Sequence, residues 1–166
     1  QAAVALKANN MKDVPARAEA MAAELKETGK QLEIAKAKLA SAEIDGLFEN
    51  AAVVDGIRIV TVYANGTSPD TLRNMLDKLR DKAPDAVGAL IGSTGGKTTL
   101  AVGVGKVALA RGLKAGVLVK KIAAIAGGNG GGKSDFAMAG IRDVSKIDDA
   151  LHAVEGIVKE ELEKAN

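Results

Sequence analysis

Apolar and small residues recur from Val14 to Ala42 at alternating intervals of four and three residues. This spacing is typical of the seam of a coiled coil or a helical hairpin, and such a seam needs a partner helix in water. The large members of the seam are Met21, Leu25, Leu32 and Leu39. The pattern therefore predicts a helical arm over residues 1–46, whose partner is either a preceding helix or a second copy of the chain.

After residue 50 the apolar runs become short, as in β-strands. Val53-Val54 and residues 57–63 flank Asp55-Gly56, a pair that is typical of a tight hairpin turn. Residues 87–91 and 99–104 flank a Thr-Gly-Gly sequence in the same way. The pattern predicts two antiparallel hairpins.

The same part of the chain also shows helical spacing. Ser68-Pro69 is a helix start, and Leu72, Met75, Leu76 and Leu79 then share one face. A further helix ends at Gly127-Gly128, and residues 145–148 form a capping box that opens one final helix. We predict an α+β fold in which the coiled-coil-like arm is followed, over residues 50–166, by a small globular domain with a hairpin-rich sheet packed by helices.

Composition limits the chemistry that this chain can perform. It contains no cysteine and a single histidine, His152, which excludes thiol nucleophiles, disulfides and multi-histidine metal sites. No uncharged apolar run approaches the roughly 18 residues of a membrane-spanning helix, and no leader pattern is present, so we expect a cytoplasmic chain. Because the sequence begins with Gln1, we expect it to be a piece of a longer protein.

The net charge of +2 conceals a local excess of positive charge. Residues 106–146 contain eight lysines and arginines against two acidic residues, and residues 147–166 contain two against six. Six of the 19 glycines lie between Gly127 and Gly140, inside the basic block. Glycine-rich backbone beside cations suggests a phosphate ligand, whereas a purely structural use of the glycines is tight packing of a helix against the sheet.

Gly127 and the Gly132-Lys133-Ser134 sequence also satisfy the spacing of the phosphate-binding loop of nucleotide hydrolases. That loop requires a buried strand before it and a long helix after it. Here the preceding segment has helical spacing, and Gly140 follows after five residues. Nucleotide hydrolysis is therefore a weak alternative.

The run from Gly127 to Gly140, GGNGGGKSDFAMAG, resembles the signature near the C-terminus of alanyl-tRNA synthetases, GGxGGG followed by Arg-Pro-Asp and x-Ala-x-Ala-Gly-Gly. The same domain is known as the DHH-associated domain in a phosphoesterase superfamily. Residues 113–118 (LKAGVL), the hairpins and the helical arm also follow the order of that family. The chain departs from the signature at Lys133, Ser134 and Ile141, and lysine lacks the bidentate fork of arginine.

The resemblance implies the C-terminal tRNA-binding domain of an alanyl-tRNA synthetase, which holds the outer corner (elbow) of alanine-specific tRNA and helps aminoacylation and editing to act on one tRNA. It implies partner domains for aminoacylation and editing upstream in the same chain, and a homodimer in some members. It implies no cofactor in this fragment, since ATP, magnesium and a zinc site of the alanine–tRNA ligase would lie outside it.

Candidate tRNA and phosphate contacts combine the glycine segment with the nearby cations. Lys133 and Arg142 flank the segment, so we expect them to contact phosphate first. Lys120 and Lys121 diverge by about 100° on a helix, so we expect at least one of them to be plain solvated surface. Asp135 is expected to bond to the glycine amides or to cap a turn. The full set is Gly128, Gly130, Gly131, Gly132, Lys133, Arg142, Lys120, Lys121, Lys114 and Arg111.

Two further functions stay open at this point. One is an assembly module that pairs chains through the seam of the arm, with only slight RNA binding. The other is the substrate-binding half of a DHH-type phosphoesterase.

Overall fold

The structure, a computed structural model, describes residues 13–49 and 51–165; for Glu33, residues 36–45, Leu47 and Glu49 it describes the backbone alone. Contacts between residues divide the chain between Lys38 and Leu39 into two units, and each is considered by itself. Residues 1–12 of the predicted arm lie outside the described residues.

The predicted arm forms one helix, α1 (Val14–Glu49), which is 36 residues long. Met21, Leu25 and Leu32 are exposed on it, and Leu25 keeps 76% of its surface accessible. The side chain of Leu39 lies outside the described residues. The helix is therefore confirmed, while the pairing of its seam with another helix stays a prediction.

The second unit is built on one six-stranded mixed sheet with the order β1-β2-β3-β4-β6-β5. In chain order its elements are β1 (Ala52–Val54), β2 (Ile57–Asn65), α2 (Pro69–Lys82), β3 (Ala86–Thr94), β4 (Lys97–Val104), α3 (Lys106–Ala110), α4 (Ala115–Ile125), β5 (Asn129–Gly132), β6 (Phe136–Ile141), α5 (Ile147–His152) and α6 (Val154–Ala165). The α+β prediction is confirmed.

Both predicted hairpins are present. β1 pairs antiparallel with β2 through a turn in which Asp55 and Gly56 have φ of 51° and 79°. β3 pairs antiparallel with β4 through Gly95 and Gly96, which also have positive φ. In this left-handed region glycine has no steric penalty, which is why these sequences turn where they do.

β2 and β3 run parallel, because α2 crosses between them. The helix begins where predicted: the Thr71 N–H donates to Ser68 Oγ at 3.3 Å. Beside this crossover Arg58 donates two hydrogen bonds to Asp85, Nε to Oδ2 at 2.7 Å and Nη2 to Oδ1 at 2.8 Å. The Arg58 hydrogen bonds hold the pKa of Asp85 below its usual value.

The core lies on both faces of the sheet. The four predicted apolar residues of α2 are buried on one face, where Gly88 makes room for them, since a Cβ there would lie 2.5 Å from Leu76 Cδ2. Helices α4, α5 and α6 cover the other face, where Ile59, Ile91 and Leu100 are buried. The three layers place α2 and α4 on opposite sides of β6 and β5.

The prediction for the C-terminal helix is wrong in two respects. Ser145 does not cap it: its hydroxyl donates to Asp143 Oδ1 at 2.6 Å, and Asp143 caps a short 3₁₀ turn. Lys146 occupies the N-cap of α5 without a side-chain hydrogen bond. The final helix is also divided into α5 and α6 at Ala153. Because the Ser145 hydroxyl donates to the nearby carboxylate of Asp143, the capping-box residues are present in the sequence but do not cap the helix.

Candidate nucleic-acid interface

The glycine-rich segment forms an edge strand of the sheet. β5 pairs antiparallel with β6, from Asn129 opposite Gly140 to Gly132 opposite Ala137. The reason is steric: a Cβ on Gly130 would lie 2.2 Å from Met138 O, and one on Gly132 would lie 2.6 Å from Ala137 Cα. Only glycine permits this close approach, so these glycines shape the hairpin itself.

One backbone amide of β5 remains directed to the open edge of the sheet. The Lys133 N–H donates to Phe136 O at 2.9 Å, and hydrogen-bonded pairs alternate along an antiparallel ladder. The N–H groups of Gly130 and Gly132 therefore point away from β6, and that of Gly130 donates to Asn129 Oδ1 at 2.8 Å. The Gly132 amide is thus oriented to meet an anion at the edge.

A cleft of about 450 Å³ lies between α4 and the β5–β6 hairpin. Four lysines line it, Lys114, Lys120, Lys121 and Lys133, together with the backbone of Gly131 and Gly132. We call it the lysine cleft. Six of the ten predicted contact residues line the lysine cleft, namely Lys114, Lys120, Lys121, Gly131, Gly132 and Lys133. Gly128 and Gly130 do not line it, and Gly130 is the partner of Ala139 in the hairpin.

The four lysines of the cleft are not equivalent. Lys121 Nζ lies 3.0 Å from Glu160 Oε2 and 2.7 Å from Glu161 Oε1, and these hydrogen bonds, that to Glu161 first, raise its pKa above the usual value. In the described part of the chain Lys114, Lys120 and Lys133 form no ion pair, and all three are exposed. The cleft therefore presents three free ammonium groups and one that is already bound.

The tip of the hairpin closes the N-terminus of α4. The Ala115 N–H donates to Ser134 O at 2.7 Å, and the Gly116 N–H donates to Lys133 O at 3.2 Å. These helix amides are therefore occupied by protein. Because residues 127–134 also lead into a strand, they lack the strand–loop–helix arrangement that a nucleotide hydrolase requires.

A second cleft of about 540 Å³ lies on the other side of the hairpin, against α2. The Arg73 guanidinium carbon lies 4.8 Å from the centre of the Phe136 ring, and Lys133 lines both clefts. Phe136 and Met138 are half-buried and pack against the core. We did not predict Arg73 or Arg80, because residues 51–105 carry almost no net charge. Arg73 and Arg80 are seven residues apart, which places both on one face of a helix, and this spacing is the sequence feature that could have indicated them.

The expected hydrogen bonds between Asp135 and the glycine amides are not formed. Asp135 Oδ2 accepts a hydrogen bond from Arg80 Nη2 at 2.9 Å, and Arg80 also lies 3.3 Å from Asp77 Oδ1. The ion pair joins the turn of the hairpin to α2 across 55 residues. It holds the turn that carries Lys133.

Residues 56–160 match the family model of the DHHA1 domain, which is well over half of the chain. The chain belongs to the DHHA1 domain family. Similar curated proteins are alanine–tRNA ligases of Bacillus pumilus, 40% identical over 162 residues, and of Methylobacillus flagellatus, 42% identical over 139 residues. The alignments cover 98% and 84% of this chain but 18% and 16% of those proteins.

This DHHA1 domain also shares its fold with a solved structure. The C-Ala domain of Aquifex aeolicus alanyl-tRNA synthetase superimposes with a TM-score of 0.60 over 66% of this chain and 97% of that one. The identity is 22%, so the likeness concerns the fold.

Two predicted contact residues of the DHHA1 domain lie away from the lysine cleft. Arg142 follows β6 at the end opposite the hairpin tip, about 20 Å along the strand from Lys133 at about 3.3 Å per residue. Arg111 donates to the carbonyl oxygen of Asp55 and so holds the β1–β2 turn. Neither arginine shares the lysine cleft, and contact of Arg142 and Arg111 with phosphate stays a prediction.

The described residues of the DHHA1 domain and its arm offer neither a cluster of metal ligands nor a membrane-spanning helix. They contain no group of three or more histidine, aspartate or glutamate side chains arranged to hold a metal ion. Within the same residues, no helix is both long enough and apolar enough to cross a membrane.

Proposed function

We propose that this chain is the C-terminal tRNA-binding domain of a cytoplasmic alanyl-tRNA synthetase, and that its lysine cleft holds the sugar–phosphate backbone at the elbow of alanine tRNA. The observation that carries the proposal is the convergence of Lys114, Lys120 and Lys133, none of them in an ion pair within the described residues, on an edge amide of a glycine strand. Ammonium groups and outward backbone amides are the groups that bind phosphate oxygens.

The composition supports recognition of folded RNA by shape and charge. The chain has one tyrosine, two phenylalanines and no tryptophan, and Phe136 is covered by Arg73. Proteins that bind single-stranded RNA stack its bases on exposed aromatic rings. A phosphate-directed cleft is suited instead to the outer corner of a folded tRNA.

The names of the similar proteins support the proposal that the parent protein is an alanyl-tRNA synthetase. They are alanine–tRNA ligases, and the chain spans less than one fifth of their length. We propose that aminoacylation, editing, ATP, magnesium and zinc belong to other domains of the same protein. The domain would have no chemistry of its own and would help both reactions to act on one bound tRNA.

The test compares two charge reversals that change net charge equally. Lys133→Glu alters the cleft, and Lys97→Glu alters the exposed turn at the opposite end of the sheet. Binding of a fluorescent alanine tRNA transcript is measured by anisotropy across a KCl series. We expect Lys133→Glu to raise Kd about ten-fold and to reduce the log–log salt slope by about one, because one phosphate contact is lost.

Lys97→Glu should change Kd less than two-fold. Equal losses in both variants would show that only net charge matters, and no loss in Lys133→Glu would exclude the lysine cleft. Both results would contradict the proposed site.

A second candidate function, assembly of two chains, is favoured by the exposed apolar residues Met21, Leu25 and Leu32 on α1. They recur with the 3.5-residue period that a coiled coil requires. The two functions are compatible, since Met21, Leu25 and Leu32 belong to one unit and the lysine cleft to the other.

A further inference from the structure

Lys121 stands at the lysine cleft but is bound to two carboxylates of helix α6. Its ammonium group lies 3.0 Å from Glu160 and 2.7 Å from Glu161. Lys164, one turn further along α6, lies 2.5 Å from Glu160 and 3.3 Å from Glu161. The carboxylates are therefore held in place beside the cleft by cations on both sides.

A phosphate oxygen and a carboxylate oxygen compete for the same donors of a lysine. Any anion that approaches Lys121 must displace Glu160 or Glu161 or share the ammonium group with them, while both carboxylates repel it. Lys114, Lys120 and Lys133 carry no such competitor among the described residues. For a phosphate, contact with Lys121 is thus less favourable than contact with any of the other three lysines of the cleft.

We propose that Glu160 and Glu161 act as internal competitors for phosphate at Lys121, and so limit the affinity and salt dependence of RNA binding. A phosphate that contacts only the other three lysines displaces no carboxylate, whereas one that contacts Lys121 must displace one. A continuous phosphodiester backbone engages the three free lysines first. The inference rests on the proposed function, because it concerns the same cleft.

The test neutralises the two carboxylates in the full 166-residue chain. Glu160→Gln/Glu161→Gln keeps the side-chain size and one acceptor oxygen per side chain, and leaves the buried Val158 and Leu162 of α6 unchanged. Glu163→Gln is the control for a charge change on the same helix, since Glu163 is exposed and does not line the cleft. A third variant adds Lys121→Gln to the double variant.

We expect the double variant to bind the alanine tRNA transcript three- to ten-fold more tightly at low salt, with a salt slope steeper by about 0.7–0.9 for one added phosphate contact. Glu163→Gln should change Kd less than two-fold. Adding Lys121→Gln should abolish the gain. A gain that came from a general rise in positive charge or from the release of Lys164 would not be abolished by this change. Circular dichroism melting checks that the fold is retained.

The outcomes separate this inference from the proposed function. A wild-type chain that binds tRNA through Lys133, with a double variant no tighter than Glu163→Gln, overturns the competition alone. A gain that survives Lys121→Gln overturns it as well. A wild-type chain that binds no tRNA overturns both.

Discussion

Substitution by alanine should destabilise the protein at Gly130 of β5 and have little effect at the adjacent Gly131. A Cβ on Gly130 would lie 2.2 Å from Met138 O and 2.3 Å from Ala139 Cα, both in the backbone of β6. A Cβ on Gly131 would meet only Lys120 Cε, at 3.7 Å, which is ordinary contact. Gly130→Ala and Gly131→Ala therefore form a matched pair that differs in contact alone.

The cost of Gly130→Ala follows from the displacement that it demands. To reach ordinary contact at 3.4 Å the strands must separate by about 1.2 Å. A ladder hydrogen bond of 2.9 Å, such as that from Lys133 to Phe136, would then exceed 3.5 Å and be lost. Two or three bonds at about 1 kcal/mol each give a loss of about 2–3 kcal/mol. Gly131→Ala should change stability by about 0.5 kcal/mol or less.

Urea unfolding followed by tyrosine fluorescence measures this difference. Tyr63 on β2 is the single tyrosine and the chain has no tryptophan, so the signal reports on the unit that contains the sheet. For a chain of this size the loss corresponds to a melting temperature lower by about 4–12 °C. Amide exchange at Met138 detects β5 if it separates while the remaining sheet stays folded.

Equal unfolding free energies for the two variants, with equal exchange at Met138, would refute the steric account of the glycine strand. A larger loss for Gly131→Ala would refute it more directly. Glycine would then be required for some property other than strand approach.

The remaining predictions concern acid stability and assembly. Because the pKa of Asp85 is lowered by Arg58, the pair stabilises the fold above the unfolded-state pKa and the contribution disappears as pH falls through the folded-state pKa. Asp85→Asn should therefore lower the free energy of unfolding by about 0.5–1 kcal/mol at pH 7, where both groups are charged, and the difference from wild type should vanish near pH 2, as measured by urea titration at each pH. If the seam of α1 pairs two chains, Leu25→Lys/Leu32→Lys should convert a dimer to a monomer in sedimentation equilibrium, and a dimer that survives would exclude the seam.

Local patterns predicted the elements whose causes are local. Asp55-Gly56 turns because of backbone φ, and Ser68 caps α2 because its oxygen lies within reach of the Thr71 amide. The apolar face of α2 was equally visible in the sequence. Each of these features depends on residues that are within a few positions of one another.

The features that the sequence did not reveal depend on contacts between separate elements. β5 pairs with β6 so closely that no Cβ fits at Gly130, and a run of glycines in the sequence does not by itself predict this pairing. The pairing of Arg80 with Asp135 spans 55 residues, and that of Lys121 with Glu161 joins α4 to α6. The lysine cleft itself was predictable only as a basic block, since its geometry requires the order of the strands.

The Arg80–Asp135 ion pair has an entropic consequence for ligand binding. A mobile glycine loop would lose backbone freedom when it closed on a ligand, at about 1–2 kcal/mol for each residue fixed. Here the segment has already been ordered during folding, by its register on β6 and by the link from its turn to α2. A ligand that reaches Lys133 therefore meets backbone that folding has already ordered, so binding does not carry that part of the entropic cost.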